Sequence, residues 1–182
     1  VDVVILAVSR TPDAYAMTKD AIASLRASSP DVPSRIVVVE THGGLPDEPW
    51  ARADAAPFGP GVEVVYPGGK FGYNRFVLAG LASVRDRAAP YAMILNNDVT
   101  LFSPGFLRAM LDGLQRVPSV SPLGYREARW NGIDASTPLV ENHSIASALT
   151  GWCVMFDTAI FDIVPPEELF PPGLLWYCQD IV

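Results

Sequence analysis

Residues Val3-Val-Ile-Leu-Ala-Val8 form an unbroken apolar run with no alternation of polar and apolar side chains. Such a run has no face to offer to water, so it suits a strand covered on both sides, as in a parallel sheet between helices. Ser9-Arg10 interrupts the run, and Thr11-Pro12 supplies a capping hydroxyl followed by proline at the first helical position. Tyr15, Thr18, Ile22 and Leu25 then recur at helical spacing, which predicts a helix over residues 13–27 lying on the strand. Ile36-Val-Val-Val39 reads as a second buried strand that ends at Glu40. Strand, helix and strand in this order make a βαβ unit, for which a right-handed crossover is expected.

The pattern continues downstream. Residues 41–61 are rich in Gly, Pro, Asp and Ala and read as a long surface loop. Val62–Tyr66 is a third strand, ended by Pro67-Gly68-Gly69, and a helix is expected from Tyr73 to Ala88 with Phe76, Val77, Leu81 and Val84 turned inward. Tyr91–Leu95 is a fourth strand, running into Asn96-Asn97-Asp98. Ser103-Pro104 is expected to open another helix, with Phe106, Leu107, Met110, Leu111 and Leu114 on its apolar face. After residue 117 the organisation changes. Residues 118–144 suggest irregular structure or short strands, Gly151–Phe156 reads as a strand, and a short helix near Thr158–Ile163 is expected to stop at Pro165-Pro166. Leu174–Asp180 is apolar and aromatic up to an acidic residue, and the sequence stops two residues later, so a truncated C-terminus is expected.

At 182 residues the chain fits one domain, and 49% hydrophobic residues suffice for a sizeable core. Thirteen basic against twenty acidic residues give a net charge of -7, which argues against a general polyanion-binding surface and disfavours nucleic acid as a partner. No apolar run approaches the ~20 residues of a membrane span. The opening residues lack the basic start of a signal peptide, and two cysteines, Cys153 and Cys178, are too few for a disulfide framework. A cytoplasmic location is therefore the expectation.

Polar residues gather just beyond the carboxyl ends of the expected parallel strands: Ser9, Arg10 and Thr11, then Glu40, then Asn96, Asn97 and Asp98. Open α/β sheets bind ligands at that edge. In Asn96-Asn97-Asp98 the carboxylate can ligate Mg²⁺ or Mn²⁺, hard ions that prefer oxygen and bridge to phosphates. The alternative is a local Asx turn ending the strand. A phosphate-binding G-x-x-x-x-G-K-[ST] loop, a G-x-G-x-x-G fingerprint and a G-x-S-x-G nucleophile turn are all absent from the sequence. His42, His143, Cys153 and Cys178 lack zinc-ligand spacing, and Cys153 reads as a small buried apolar residue. His42, near Glu40, can line the same edge or simply sit in a loop.

These residues resemble the GT-A glycosyltransferases, particularly the family 2 type. Leu95-Asn-Asn-Asp-Val99 is similar to that family's Asp-X-Asp region, with asparagine at the first acidic position, so Asp98 alone matches a metal-ligating carboxylate. The Val3–Val8 strand with its Ser-Arg-Thr turn resembles the nucleotide-binding first strand, and Ile36–Glu40 the second, whose terminal acid contacts base or ribose. Phe71-Gly-Tyr-Asn74, leading to Gly80, resembles the segment beneath the nucleotide sugar. Trp176-Tyr-Cys-Gln-Asp180 is similar to the Glu-Asp motif that carries the general base of inverting members, with glutamine replacing the glutamate.

The resemblance implies a GT-A-like (Rossmann-like) α/β fold, a mainly parallel central sheet flanked by helices. Residues 1–116 would form the nucleotide-sugar-binding part and 117–182 the acceptor and catalytic part of one domain. It implies an inverting, metal-assisted transferase that moves a sugar from a nucleotide-diphosphate sugar to a hydroxyl acceptor of unread class. Asp98 would hold Mn²⁺ or Mg²⁺ against the departing diphosphate. Asp180 would take the acceptor's proton, its pKa raised by partial desolvation. Ser9, Arg10, Thr11, Glu40, Asn74, Asn96 and Asn97 would surround the donor. Arg10, Lys70 and Arg75 are candidate auxiliary cations, with Lys70 favoured by its glycine neighbours and solvated surface charge as the alternative. Trp130, Trp152 and Trp176 can stack on an acceptor sugar, although core packing competes for at least two of them. Two other functions fit the same pattern. One is a sugar-nucleotide pyrophosphorylase, which should carry a glycine-rich basic loop after the first strand. The other is a non-catalytic domain that binds a nucleotide sugar or a partner.

Overall fold

The structure is a computed structural model that describes residues 1–9, 11–40, 57–69, 71–85, 89–117, 119–120 and 152–172. Among these residues the strands are β1 (Asp2–Ala7), β2 (Arg35–Glu40), β3 (Val62–Val65), β4 (Tyr91–Asn96), β5 (Ser119–Val120) and β6 (Cys153–Asp157). They form one sheet in the order β3-β2-β1-β4-β6-β5. β3, β2, β1 and β4 run parallel, whereas β6 pairs antiparallel with both β4 and β5. The helices are α1 (Pro12–Ser28), α2 (Tyr73–Arg85), α3 (Phe106–Leu114) and the single turn α4 (Pro166–Leu169), with a 3-10 turn over Thr158–Asp162.

The lack of alternation in the first apolar run has a direct cause. Every residue of β1 is buried. Val3, Ile5 and Ala7 pack with Ile22 and Leu25 of α1 and with Leu107 and Met110 of α3. Val4 and Leu6 pack on the other face with Phe76, Val77 and Leu81 of α2. Asp2, at the start of the strand, is buried but paired with Arg35 of β2. β2 repeats the arrangement, with Ile36 and Val38 on the first face and Val37 and Val39 on the second.

α1 starts where the sequence places it. Thr11 has an extended backbone, its hydroxyl accepts from the Ala14 N–H at 3.2 Å, and Pro12 occupies the first turn. Two expectations are corrected. Ser103-Pro104 does not open α3, because Gly105 intervenes with φ at 75° and the helix begins at Phe106. The Gly105 N–H donates to the Ser28 carbonyl at 2.6 Å, and the Ser29 hydroxyl accepts from the Leu107 N–H at 2.9 Å. The end of α1 thus caps the start of α3 from a distance no local motif reveals. Likewise Pro165-Pro166 does not terminate the 3-10 turn, which ends at Asp162; Pro166 instead opens α4.

α2 lies close on the sheet because Gly80 faces it. A β-carbon there would stand 2.2 Å from Val4 Cγ1 and 2.9 Å from Val39 Cγ2. Both valines are fully buried and have nowhere to retreat. Gly80→Ala is therefore expected to lower stability by about 1–3 kcal/mol through overpacking, despite alanine's higher helix propensity. A lower urea midpoint at unchanged m-value is the expected reading.

Candidate functional site at the carboxyl edge of the sheet

The chain steps from β1 to β2 to β3 in one direction, then returns to place β4 on the opposite side of β1. α1 and α2 accordingly cover opposite faces, and the strand order reverses between β1 and β4, whose carboxyl ends mark the crevice position at which open α/β sheets bind ligands. The register keeps these ends level, since Ala7 is opposite Glu40 and Leu6 opposite Asn96. Ser9, Glu40, Asn97 and Asp98 therefore share one edge although they are far apart in sequence.

A buried polar contact of this edge joins two of them. The Ser9 N–H donates to both carboxylate oxygens of Glu40, at 3.1 and 3.2 Å. Glu40 is 5% exposed and Ser9 is 7% exposed. A buried carboxylate needs such donors, and a charged acceptor strengthens the bond. The Ser9 hydroxyl is also buried, with no hydrogen-bond partner among the described residues. Tyr66, just past β3, lies near Glu40. Burial, and secondarily the Glu40 charge, raise its phenol pKa above the ordinary value.

The Asn96-Asn97-Asp98 segment divides its work. The Asn96 N–H donates to the Trp152 carbonyl at 2.9 Å, continuing the ladder between β4 and the start of β6. The Asn97 amide donates to the Thr18 hydroxyl at 3.0 Å, which itself donates to the Ala14 carbonyl at 3.2 Å. Asn97 thus bolts the end of β4 to α1. Asp98 is exposed beside it and, among the described residues, makes no hydrogen bond or ion pair. No three His, Cys, Asp or Glu side chains among the described residues converge to hold a metal. One exposed carboxylate suits a hard cation that takes its other ligands from water and phosphate, rather than one held in a protein cage. The donor set fits Mg²⁺ or Mn²⁺ on those terms.

Asn74 stands in the first turn of α2, fully buried, and its amide donates to the Pro171 carbonyl at 2.9 Å. Its own Oδ1 is buried without a partner among the described residues. Thr11 is exposed and serves as the cap of α1. Arg75 folds back, donating to the Gly68 carbonyl at 2.6 Å and lying 5.1 Å from the Phe76 ring centroid. Trp152 is half-buried and packs against the core shared with α1 and α3, as the packing alternative anticipates. Cys153 is buried, and burial pushes its thiol pKa well up, in keeping with an inert apolar role. Arg10, His42, Lys70, Trp130, His143, Trp176, Cys178 and Asp180 lie outside the described residues.

Sequence reasoning missed Tyr66 and Thr18 as members of this edge. Tyr66 carried a usable signal, an aromatic at the carboxyl end of a parallel strand. Thr18 carried none, since a hydroxyl on a buried helical face is usually satisfied by its own helix, as this one also is.

No family model matches the chain, and no curated protein matches it. Solved structures do. A mannosyltransferase from Pyrobaculum calidifontis, in complex with GDP-Man and Mn²⁺, superposes with a TM-score of 0.59 at 15% identity over 90% of this chain and 46% of that one. A protein designated a nucleotide-diphospho-sugar transferase from Desulfovibrio desulfuricans G20 gives 0.56 at 10% identity, covering 98% of this chain and 70% of that one. The 4-diphosphocytidyl-2C-methyl-D-erythritol synthase of Anaerococcus prevotii gives 0.59 at 10% identity, with 98% and 78% covered.

The chain has a GT-A-like fold. At these identities the likeness is one of architecture, and this chain spans less than half the length of the mannosyltransferase. Within the GT-A-like sheet, Ser9 follows the carboxyl end of β1, and Asn97 and Asp98 follow that of the adjacent β4. The Tyr66–Glu40 neighbourhood makes a direct check of the edge. In Glu40→Gln the phenol of Tyr66 should titrate at lower pH than in the wild type, because the charge that disfavours the phenolate is gone. NMR of Cζ-labelled tyrosine would read the shift, and an unmoved Tyr66 would separate the two side chains.

Proposed function

We propose that the chain is the donor-binding part of a transferase that uses a nucleotide-diphosphate sugar. The observation that carries this reading is the placement of the exposed Asp98 at the β1–β4 switch point, beside Asn97, with a Ser9 hydroxyl after β1 that is buried and unpartnered among the described residues. The structural likeness to nucleotide-sugar transferases supports it.

On this reading Asp98 would hold Mn²⁺ or Mg²⁺. When bound, the cation would stabilise the charge that develops on the leaving diphosphate. The chain's own groups do the rest. Ser9 and the α1 cap at Thr11 face the donor from β1, with the first turn of α1 offering a favourable end for negative charge. Asn97, held by Thr18, fixes the direction in which Asp98 leaves β4. Asn74 ties the floor of the donor side to Pro171, the residue from which the chain proceeds to Asp180. Asp180 accepts the proton of the acceptor hydroxyl as it attacks the anomeric carbon on the face opposite the diphosphate, which inverts that centre. Arg10 and Lys70 supply further positive charge near the phosphates.

A second reading is favoured by one observation, the equal TM-score of the diphosphocytidyl-methylerythritol synthase. A nucleotidyltransferase would place a nucleoside triphosphate in the same crevice. A basic, glycine-rich turn would suit that chemistry better than Ser9-Arg10-Thr11-Pro12 does.

A thermal-shift screen of UDP-, GDP-, dTDP- and CDP-sugars and of CTP, with and without Mn²⁺, tests both. Ligand at 100 times its dissociation constant should stabilise the native state by ~2.7 kcal/mol. The expected outcome is a metal-dependent shift with one nucleotide sugar, abolished in Asp98→Asn. A shift with CTP alone would favour nucleotidyl transfer, and a shift indifferent to metal and to Asp98→Asn would remove the role given to Asp98.

A further inference from the structure

The acid that ends β2 occupies the place from which a side chain could read a nucleobase, and the resemblance to glycosyltransferases suggests that use for it. Its geometry points elsewhere. Glu40 is 5% exposed, and both of its oxygens accept from the N–H of Ser9, 31 residues upstream. A carboxylate that reads the edge of a planar base must present an oxygen to the crevice, whereas this one turns both toward its own chain. The Ser9 hydroxyl, in contrast, is buried and unpartnered among the described residues. An orphaned buried hydroxyl costs free energy unless something satisfies it.

We propose that Glu40 is a positioning residue that acts on the ligand through Ser9, and that the Ser9 hydroxyl is the ligand-contacting group. The carboxylate takes up the Ser9 N–H, which is thereby withdrawn from any bound phosphate. It also pins the turn between β1 and α1, so the one remaining hydrogen-bond donor of Ser9 is its hydroxyl. The ordering needed to hold that hydroxyl toward a ligand is then met on folding rather than on binding. The identity of the ligand rests on the nucleotide-sugar reading; the Glu40–Ser9 clamp does not.

The two roles for Glu40 differ in what they do to base preference. A residue that reads the base changes selectivity when it becomes Gln, because one acceptor is replaced by a donor. A positioning residue lowers affinity for every nucleotide alike. Titration calorimetry of the wild type, Ser9→Ala, Glu40→Gln, Glu40→Ala and the Ser9→Ala/Glu40→Ala double variant with UDP, GDP, CDP and dTDP, each with Mn²⁺, separates them. Ser9→Ala should weaken binding about three- to tenfold, the worth of one hydrogen bond. Glu40→Ala should weaken all bound nucleotides by the same factor, and Glu40→Gln, which keeps one acceptor for the Ser9 N–H, by less. The double variant should bind no more weakly than Glu40→Ala, because both changes remove one interaction.

Amide hydrogen exchange supplies a reading that requires no ligand. The Ser9 amide should exchange faster in Glu40→Ala than in the wild type, while the amides of Val4 and Ile5 in the core keep their protection. Altered base preference with an unchanged Ser9 amide would overturn the proposal, as would losses that multiply in the double variant. If the wild type binds no nucleotide, the nucleotide-sugar reading fails, and the exchange result alone then decides the clamp. A faster Ser9 amide in Glu40→Ala and a partial effect in Glu40→Gln would uphold it, and an unaffected amide would refute it.

Discussion

The burial of β1 on both faces is the constraint from which the rest of this structure follows. Its side chains alternate between two apolar layers, one built with α1 and α3 and the other with α2. A central strand of this kind has no room for a polar side chain between its ends, because an unpaired group there would forfeit its hydration. Asp2 is admitted at the start through its pairing with Arg35. At the other end the first polar group, Ser9, is met by Glu40 from the neighbouring strand. Polar side chains are thereby displaced to the ends of the strand, and the strand order decides which ends stand side by side.

The edge is held by long-range contacts of modest individual worth. Asn97 reaches Thr18, Leu101 reaches Ser24, Gly105 reaches Ser28 and Leu107 reaches Ser29. All of these fasten the chain after β4 to α1, so the loop that displays Asp98 is braced at several points along one helix. Each is a single hydrogen bond worth on the order of 1 kcal/mol. Their joint effect is geometric, fixing where the exposed carboxylate stands relative to the turn after β1. On the other face, Gly80 lets α2 approach the sheet, and Asn74 in the first turn of the same helix holds the Pro171 carbonyl.

Much of this architecture is legible in the sequence because the signals are local and strong. The apolar runs at Val3–Val8, Ile36–Val39 and Tyr91–Leu95 are strands to within a residue or two, and the Thr11-Pro12 start of α1 is correct to the residue. The failures share a cause. Ser103-Pro104 looked like a helix start because serine and proline are good capping residues, but the cap of α3 comes from Ser29, the residue just past the end of α1. Pro165-Pro166 looked like a stop and is a start. The gathering of Ser9, Glu40 and Asn97 at one edge followed from strand ends alone. That the Asn97 amide is taken by Thr18, and the Glu40 carboxylate by Ser9, did not.

By itself the sequence determined a mainly parallel α/β sheet with polar groups at its carboxyl edge, since apolar runs buried on both faces and capping residues act over short distances along the chain. The tertiary structure alone decided which strands neighbour one another, where the order reverses, and which polar atoms are spent on the protein itself. Those outcomes depend on groups brought together from 31 to 97 residues apart. A linear pattern records which groups are available for pairing, and the partner of each is settled when the helices pack and leave some donors and acceptors buried beside one another.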